Sequence, residues 1–325
     1  MQQTRWAMVG TGLMLKLIGN DFAKTENVDM RVIVSRTQER ADEMAVQYGF
    51  GGGSADFASV LQRDDIDVVY IATPHTLHFE QAMAALDAGK HVLVEKSMTE
   101  SAAKTRQLLA HAKAKGLFAM EAMWTAFNPA IVEARRRVAN GDLGDVELVH
   151  ANFCTAPPYD ATSRLWAKEY AGGSTLDQGV YTLSLAHMIL GTPTRITAQG
   201  TVFEGVDAEV SANLEFAGGQ RAVCLSSLRA FSPNTAFIAG TKGCIEIPGA
   251  FWTPGGFTHL TVKSAVDVDR DDFSYDREGA GYVPMLRAVS NAILEGRTEH
   301  ELRSHAETIA VAETMDEVLR QVHSA

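Results

Sequence analysis

A short apolar run, His91-Val92-Leu93-Val94, ends abruptly in Glu95 and Lys96. Its length and β-branched content predict a buried strand. In an open parallel sheet, ligands bind beyond the carboxyl ends of the strands, so an ammonium delivered there stands where a reaction centre would be. Lys96 is therefore a candidate acid/base group, with the Glu95 carboxylate beside it. Taken alone, the pair would serve equally as solvated charges at a strand end. A second constellation, Gly10-Thr11-Gly12-Leu13, lies between a strand-like Trp6–Val9 and a helical pattern from Leu13. Gly10 permits a tight turn, and Gly12 lets the backbone approach a pyrophosphate at a helix N-terminus. Leu15 replaces the third small residue of the usual fingerprint, which predicts a helix displaced outward from the sheet.

The second strand runs into Ser35-Arg36, with Arg40 one helical turn later. A site for NAD normally carries an acidic residue here to take the ribose hydroxyls. A guanidinium instead pairs bidentately with a 2′-phosphate and stacks on adenine. The pattern predicts NADP, with NAD possible; the alternative is that both arginines solvate a helix start. After the third strand, Thr73-Pro74-His75 predicts an irregular turn lining the nicotinamide, His75 touching cofactor or substrate. His78 reads as structural. No further ligand accompanies these two histidines, so no metal is expected.

The elements that must position these groups alternate through the first 120 or so residues. Strands are predicted at Trp6–Val9, Met30–Val34, Val68–Ala72, His91–Val94 and Phe118–Glu121, with helices between them. This is the signature of right-handed βαβ units and a doubly wound parallel sheet, an α/β Rossmann domain over residues 1–122. From 123 to 325 the rhythm changes to successive strands: Val146–Phe153, Ile196–Phe203, Val210–Phe216, Gln220–Ser227, Asn234–Gly240 and Gly243–Ile247. They predict an α+β domain with a large, mostly antiparallel open sheet, closed by helices at Val283–Glu295 and Ser304–Val322.

Composition is that of an ordinary globular protein, 46% hydrophobic and 21% charged over 325 residues. The net charge of −11 disfavours a nucleic-acid partner, which needs a basic surface. Three scattered cysteines make neither a disulfide framework nor a zinc site. With no signal-like start and no apolar run near the roughly 18 residues of a membrane span, the expected location is cytoplasmic.

Together the Val9–Gly12 fingerprint, Ala72-Thr73-Pro74-His75, Gly89–Lys96, Gly172-Gly173-Ser174-Thr175-Leu176-Asp177-Gln178-Gly179-Val180-Tyr181 and His305-Ala306-Glu307-Thr308 resemble the Gfo/Idh/MocA oxidoreductases. Within that family, Glu121-Ala122-Met123-Trp124-Thr125-Ala126-Phe127-Asn128-Pro129 resembles the branch of dimeric dihydrodiol dehydrogenase and NADP-dependent D-xylose dehydrogenase. The family's Glu-Lys-Pro motif falls on Glu95-Lys96-Ser97; a serine in place of proline predicts a trans peptide there. Where many members carry histidine, this chain has Tyr181, a branch trait.

Asp177 and Tyr181 are four residues apart, which on a helix starting after Gly172-Gly173 places both on one face. Tyr181 would be the general acid/base in hydride transfer at a carbinol or carbonyl carbon, Lys96 its electrostatic partner and proton relay, and Asp177 the group that binds a substrate hydroxyl and orients the pair. Lys96 as direct proton carrier is the nearest variant. Arg164 and Trp166 in the preceding loop, with Trp124 and Phe127 at the domain junction, are the candidate substrate contacts for a sugar, polyol or dihydrodiol. His187 reads as a core residue. Association as a homodimer through the second-domain sheet is what the resemblance implies. Two other readings stand beside it: an NAD-assisted glycoside hydrolase of the same fold, and a non-catalytic dinucleotide-binding sensor.

Overall fold

The computed structural model describes residues 2–264 and 267–324. The chain forms two compact units. The first comprises the chain up to Trp124 together with Arg277–Thr308; the second is Thr125–Asp276 with the chain from Ile309.

The first unit runs β1 (Thr4–Val9), α1 (Leu13–Phe22), β2 (Val28–Val34), α2 (Gln38–Tyr48), β3 (Gly53–Ser54), α3 (Phe57–Leu61), β4 (Val68–Ile71), α4 (His75–Asp87), β5 (His91–Val94), α5 (Ala102–Lys115) and β6 (Ala119–Glu121). The strands form a six-stranded parallel sheet ordered β3-β2-β1-β4-β5-β6. This is the doubly wound order, with its switch point between β1 and β4. Side chains of β1 and β4 are almost wholly buried, as a sheet covered on both faces requires. Local signals set the helix ends. The Thr37 and Ser101 side chains cap α2 and α5, which end at Gly49 and Gly116 in the left-handed conformation.

The second unit contains α6 (Pro129–Ala139), β7 (Val146–Cys154), α7 (Val180–Leu190), β8 (Arg195–Phe203), β9 (Val206–Glu215), β10 (Arg221–Ser227), β11 (Ala236–Gly240), β12 (Gly243–Ile247), β13 (Gly256–Ser264) and β14 (Asp267–Ser274). Its eight-stranded sheet is ordered β14-β13-β12-β11-β7-β10-β9-β8, antiparallel except where β10 meets β7. On β9 every second residue, from Val206 through Ala208, Val210 and Ala212 to Leu214, is buried. α7 packs against β7 and β10. On the opposite face Leu148, Val223, Leu225 and Phe237 remain half-buried or exposed.

Two expectations need correction. The sheet is longer than the sequence suggests, because β13 and the acid-rich β14 were not anticipated. Asp267, Asp269, Asp271 and Asp272 belong to an exposed edge strand, where charge protects an open edge from pairing. The boundary is also not a single cut near residue 122. The chain returns to the first unit as α8 (Val283–Leu294), whose Ser290 accepts a hydrogen bond from Thr4 at 2.7 Å. Asn27 donates to the Arg287 carbonyl and the Asn291 side chain at 3.0 and 2.7 Å. Asp21, fully buried on α1, accepts the backbone N–H groups of Ala280 and Tyr282. The last helix, α9 (His305–Ser324), starts in the first unit and continues in the second.

Candidate active site

The carboxyl ends of β1, β4 and β5 lie side by side, so the loops that follow them meet at one edge. Gly10 has φ +113°, and a Cβ on it would lie 2.4 Å from the Ala72 carbonyl oxygen; only glycine lets these two turns close. A Cβ on Gly12 would meet open space. Gly12 is also the N-cap of α1, with no side-chain cap and no acid in the first turn. Among the described residues no side chain caps the first N–H groups of α1, and the residues fit the pyrophosphate of a dinucleotide. Leu15, expected to push α1 outward, is completely buried, whereas Leu13 is exposed at the helix start. Thr11 and Ser35 join these loops by a 2.8 Å hydroxyl contact. Arg36 is exposed and makes no ion pair among the described residues, while Arg40 is engaged by Glu43 at 2.7 Å. Of the two arginines, Arg36 is the one available to an incoming phosphate.

Beyond β5, Glu95 is buried, accepting the Tyr70 hydroxyl on one oxygen and the Lys96 N–H at 3.2 Å on the other. The Lys96–Ser97 peptide is cis, not trans as expected for serine. Tertiary hydrogen bonds hold the carbonyls on both sides of this turn. His75 Nε2 lies 3.2 Å from the Lys96 oxygen, and His78 Nδ1 lies 3.1 Å from that of Ser97. His78 Nε2 is 2.8 Å from the Thr73 oxygen, so His78 links the Thr73-Pro74 turn to the lysine turn. Burial pushes the His78 pKa down against the pull of these carbonyls. A neutral ring donates to only one of them. His75, expected at cofactor or substrate, also starts α4.

Two residues on, Met98 N–H donates to Glu121 at 2.8 Å. The other oxygen of Glu121 binds Arg303 Nε at 3.0 Å, and Arg303 also reaches Glu307 at 2.9 Å. Arg303 has no exposure at all, and Glu121 has 2%. This ion network supports the lysine turn from behind and was not foreseen. Its only trace in the sequence is that Glu121 and Glu307 both fall in family-like segments. Trp124 is buried, its ring stacked on Tyr282 at 4.0 Å.

In the second unit, Asp177 sits in a turn of π-helix, Thr175–Gly179, that leads directly into α7. Such turns recur at functional sites. Tyr181 is the second residue of α7. The interval between Asp177 and Tyr181 therefore spans a π-to-α junction and not one regular helix. Arg164 pairs with Asp177 at 2.8 Å, which joins two residues the sequence offered separately as substrate contacts. Phe153 and Trp252, neither anticipated, stack face to face at 3.6 Å and lie 5.5 and 6.2 Å from the Tyr181 ring. Trp252 is fixed by the Thr125 hydroxyl, which donates to its carbonyl at 2.7 Å. Two aromatics in the loop Gly249-Ala250-Phe251-Trp252 were the available signal. Trp166 is 4% exposed, packed with Val206, Ala208 and Leu228 and edge-on to Tyr159 and Phe203. It belongs to the core of its loop and offers no open stacking face. Phe127 is likewise buried, and His187, bonded to Thr314 at 3.0 Å, is the core residue expected. No cluster of potential metal ligands occurs among the described residues.

Known proteins with these features can now be set beside the chain. Residues 4–123 match the family model described as an oxidoreductase family with an NAD-binding Rossmann fold, and residues 131–246 match the GFO/IDH/MocA C-terminal domain. Trans-1,2-dihydrobenzene-1,2-diol dehydrogenase of Xenopus laevis is 32% identical over 332 residues, which cover 98% of each chain. Among solved structures, levoglucosan dehydrogenase in complex with NADH and levoglucosan superposes with a TM-score of 0.91 at 22% identity, over 99% of this chain and 98% of that one. KijD10, a 3-ketoreductase from Actinomadura kijaniata in complex with NADP, gives 0.84 at 22% identity over the same shares. With its Rossmann unit, its glycine turn beneath a bare helix start and its Glu-Lys strand end, the chain belongs to the Gfo/Idh/MocA family of oxidoreductases.

Proposed function

We propose that this oxidoreductase is NADP-dependent and moves a hydride between nicotinamide and the carbinol or carbonyl carbon of a sugar, a sugar derivative or a trans-dihydrodiol. The observation that carries this reading is the Lys96 turn. It stands at the carboxyl end of β5, two strands from the uncapped start of α1, in the position where a doubly wound sheet places ligands. The cofactor, when bound, supplies the hydride acceptor. In the oxidative direction Tyr181 takes the hydroxyl proton as hydride leaves the same carbon, and in reduction it returns that proton to the developing alkoxide. Lys96 stabilises the phenolate electrostatically and relays its proton. The Asp177–Arg164 pair binds a neighbouring hydroxyl, one oxygen accepting and the guanidinium donating. The Phe153–Trp252 wall beside Tyr181 suits the flat face of a cyclic diol or the C–H face of a sugar. The dihydrodiol dehydrogenase named above supports the dihydrodiol class.

Exposed Arg36, in place of the usual acid, supports NADP over NAD. It also favours an exchangeable cofactor over the NAD-assisted hydrolase. The uncovered sheet face with Leu148, Val223, Leu225 and Phe237 supports a homodimer. Three free cysteines suit a reducing, cytoplasmic compartment. A panel of aldoses, anhydro-sugars, inositols and dihydrodiols, assayed with NADP and NAD separately, tests the reaction. Net NADP reduction is expected; glycoside cleavage without net reduction would give the hydrolase reading instead. Lys96→Met should lower kcat by about 10³-fold, at the scale of losing one acid/base group, while NADP binding survives. Near-normal turnover in that variant would sink the lysine's role.

A further inference from the structure

The turn that carries Asp177 is held by a buried aspartate. Asp207, near the start of β9, is 2% exposed. One of its oxygens accepts the Thr175 N–H at 2.7 Å and the Ser174 hydroxyl at 3.1 Å. Ser226 donates to the same Ser174 hydroxyl at 3.1 Å. No basic side chain pairs with Asp207 among the described residues. Its carboxyl group faces the N-terminus of the continuous helical run formed by the π turn and α7, where the first N–H groups point. Burial raises the pKa of this carboxyl, opposed by the bonds from Thr175 and Ser174. The backbone has been shaped around it. Gly173 has φ +131°, and a Cβ on it would lie 2.0 Å from an Asp207 oxygen.

We propose that Asp207 is a positioning residue for the reaction. By gripping the Thr175 N–H and the Ser174 hydroxyl, it forces the π turn and so sets the places of Asp177 and, at the start of α7, Tyr181. The carboxyl group needs no paired cation among the described residues, because the Ser174 hydroxyl and the Thr175 N–H at the helix start aim at one oxygen. Gly173 is the residue that admits it. This inference rests on Tyr181 and Asp177 acting on substrate as proposed above. Its structural half does not depend on that reading.

The test compares full-length Asp207→Ala and Asp207→Asn with the wild type by amide hydrogen exchange over residues 174–181 and by steady-state kinetics. Asp207→Ala should speed exchange in that segment and leave β7 unchanged. It should also lower kcat by about 30-fold, the scale of a misplaced catalytic group, with the KM for NADP within about twofold. Asp207→Asn keeps an acceptor oxygen of the same shape and should recover kcat to within about threefold of wild type. Wild-type kcat in Asp207→Ala, or equal losses in both variants together with NADP affinity, would overturn the proposal. Should Asp207→Ala fail to fold, Ser174→Ala removes the second bond to Asp207, together with the acceptor of the Ser226 hydroxyl, and keeps the Thr175 N–H bond. It should then lower kcat by about threefold, roughly the worth of a partly redundant hydrogen bond, and an unchanged kcat would overturn the proposal equally. An inactive wild type would remove the reaction assigned above, and exchange in residues 174–181 would still decide whether Asp207 holds the turn.

Discussion

At the scale of single residues, the cofactor question turns on Arg36. Among the described residues its guanidinium is not consumed by an ion pair, whereas Arg40 already has Glu43. Losing a charge-assisted bidentate contact costs about 1.5–3 kcal/mol, so Arg36→Ala should raise the KM for NADP by roughly 10- to 100-fold. The KM for NAD should hardly move, since its ribose offers no phosphate. Equal changes for both cofactors would show that Arg36 only solvates the start of α2. The Ser97 carbonyl and its neighbour at Lys96 carry a related lesson. Two histidines and a buried glutamate decide how that turn is placed, so the lysine cannot be judged from its own sequence neighbours.

At the scale of elements, the turn after β5 is only as firm as the network behind it. Arg303 and Glu121 are both out of solvent, and the Met98 N–H depends on the same carboxylate. Removing one partner leaves an uncompensated buried charge, which costs about 3–5 kcal/mol. Arg303→Met should lower the urea midpoint accordingly, and adding Glu121→Gln should recover part of the loss. A midpoint equal to wild type would mean that solvent or protonation of Glu121 compensates for the lost arginine. The π turn before α7 follows the same logic with Asp207 as its anchor. In both cases a loop bearing candidate chemistry is pinned by a buried charge from elsewhere in its own unit.

For the whole molecule, stability should depend on pH through buried and half-buried histidines. His91, at the start of β5, accepts the Phe118 N–H on Nδ1 at 2.9 Å. Burial pushes its pKa below 6.5, against a smaller pull from the Asp67 carboxylate. With the folded pKa depressed, the unfolded chain binds the proton more readily. The stabilising contribution is therefore complete above about pH 6.5 and is lost as pH falls below it. Thermal unfolding from pH 7 to pH 5 should show a declining Tm, with a shallower decline in His91→Gln. Parallel slopes would exclude His91 as a source; buried His78 shifts in the same direction and would account for what remains. Assembly is tested on the uncovered sheet face. Leu225→Glu should convert a dimer to monomers by light scattering, and a monomeric wild type would remove the assignment of that face.

Much of this protein was readable in its amino-acid order. Strand and helix periods, the Gly10–Gly12 turn and the Glu95–Lys96 strand end are local patterns, because a parallel sheet buried on both faces demands apolar runs and its loops demand particular residues. The doubly wound order, the mostly antiparallel second sheet and the family membership follow the expectations drawn from those patterns. What required the tertiary structure were the contacts of high sequence separation. These are the return of α8 to the first unit, the pairing of Arg303 with Glu121, the stacking of Trp252 on Phe153, and the carboxylate of Asp207 beneath Gly173. A lone buried charge or aromatic has no period and no local signature, since its partner is chosen by the fold and not by its neighbours along the chain. The acid-rich β14 was missed for a related reason. An edge strand owes its extended form to hydrogen bonds with β13 and not to apolar alternation.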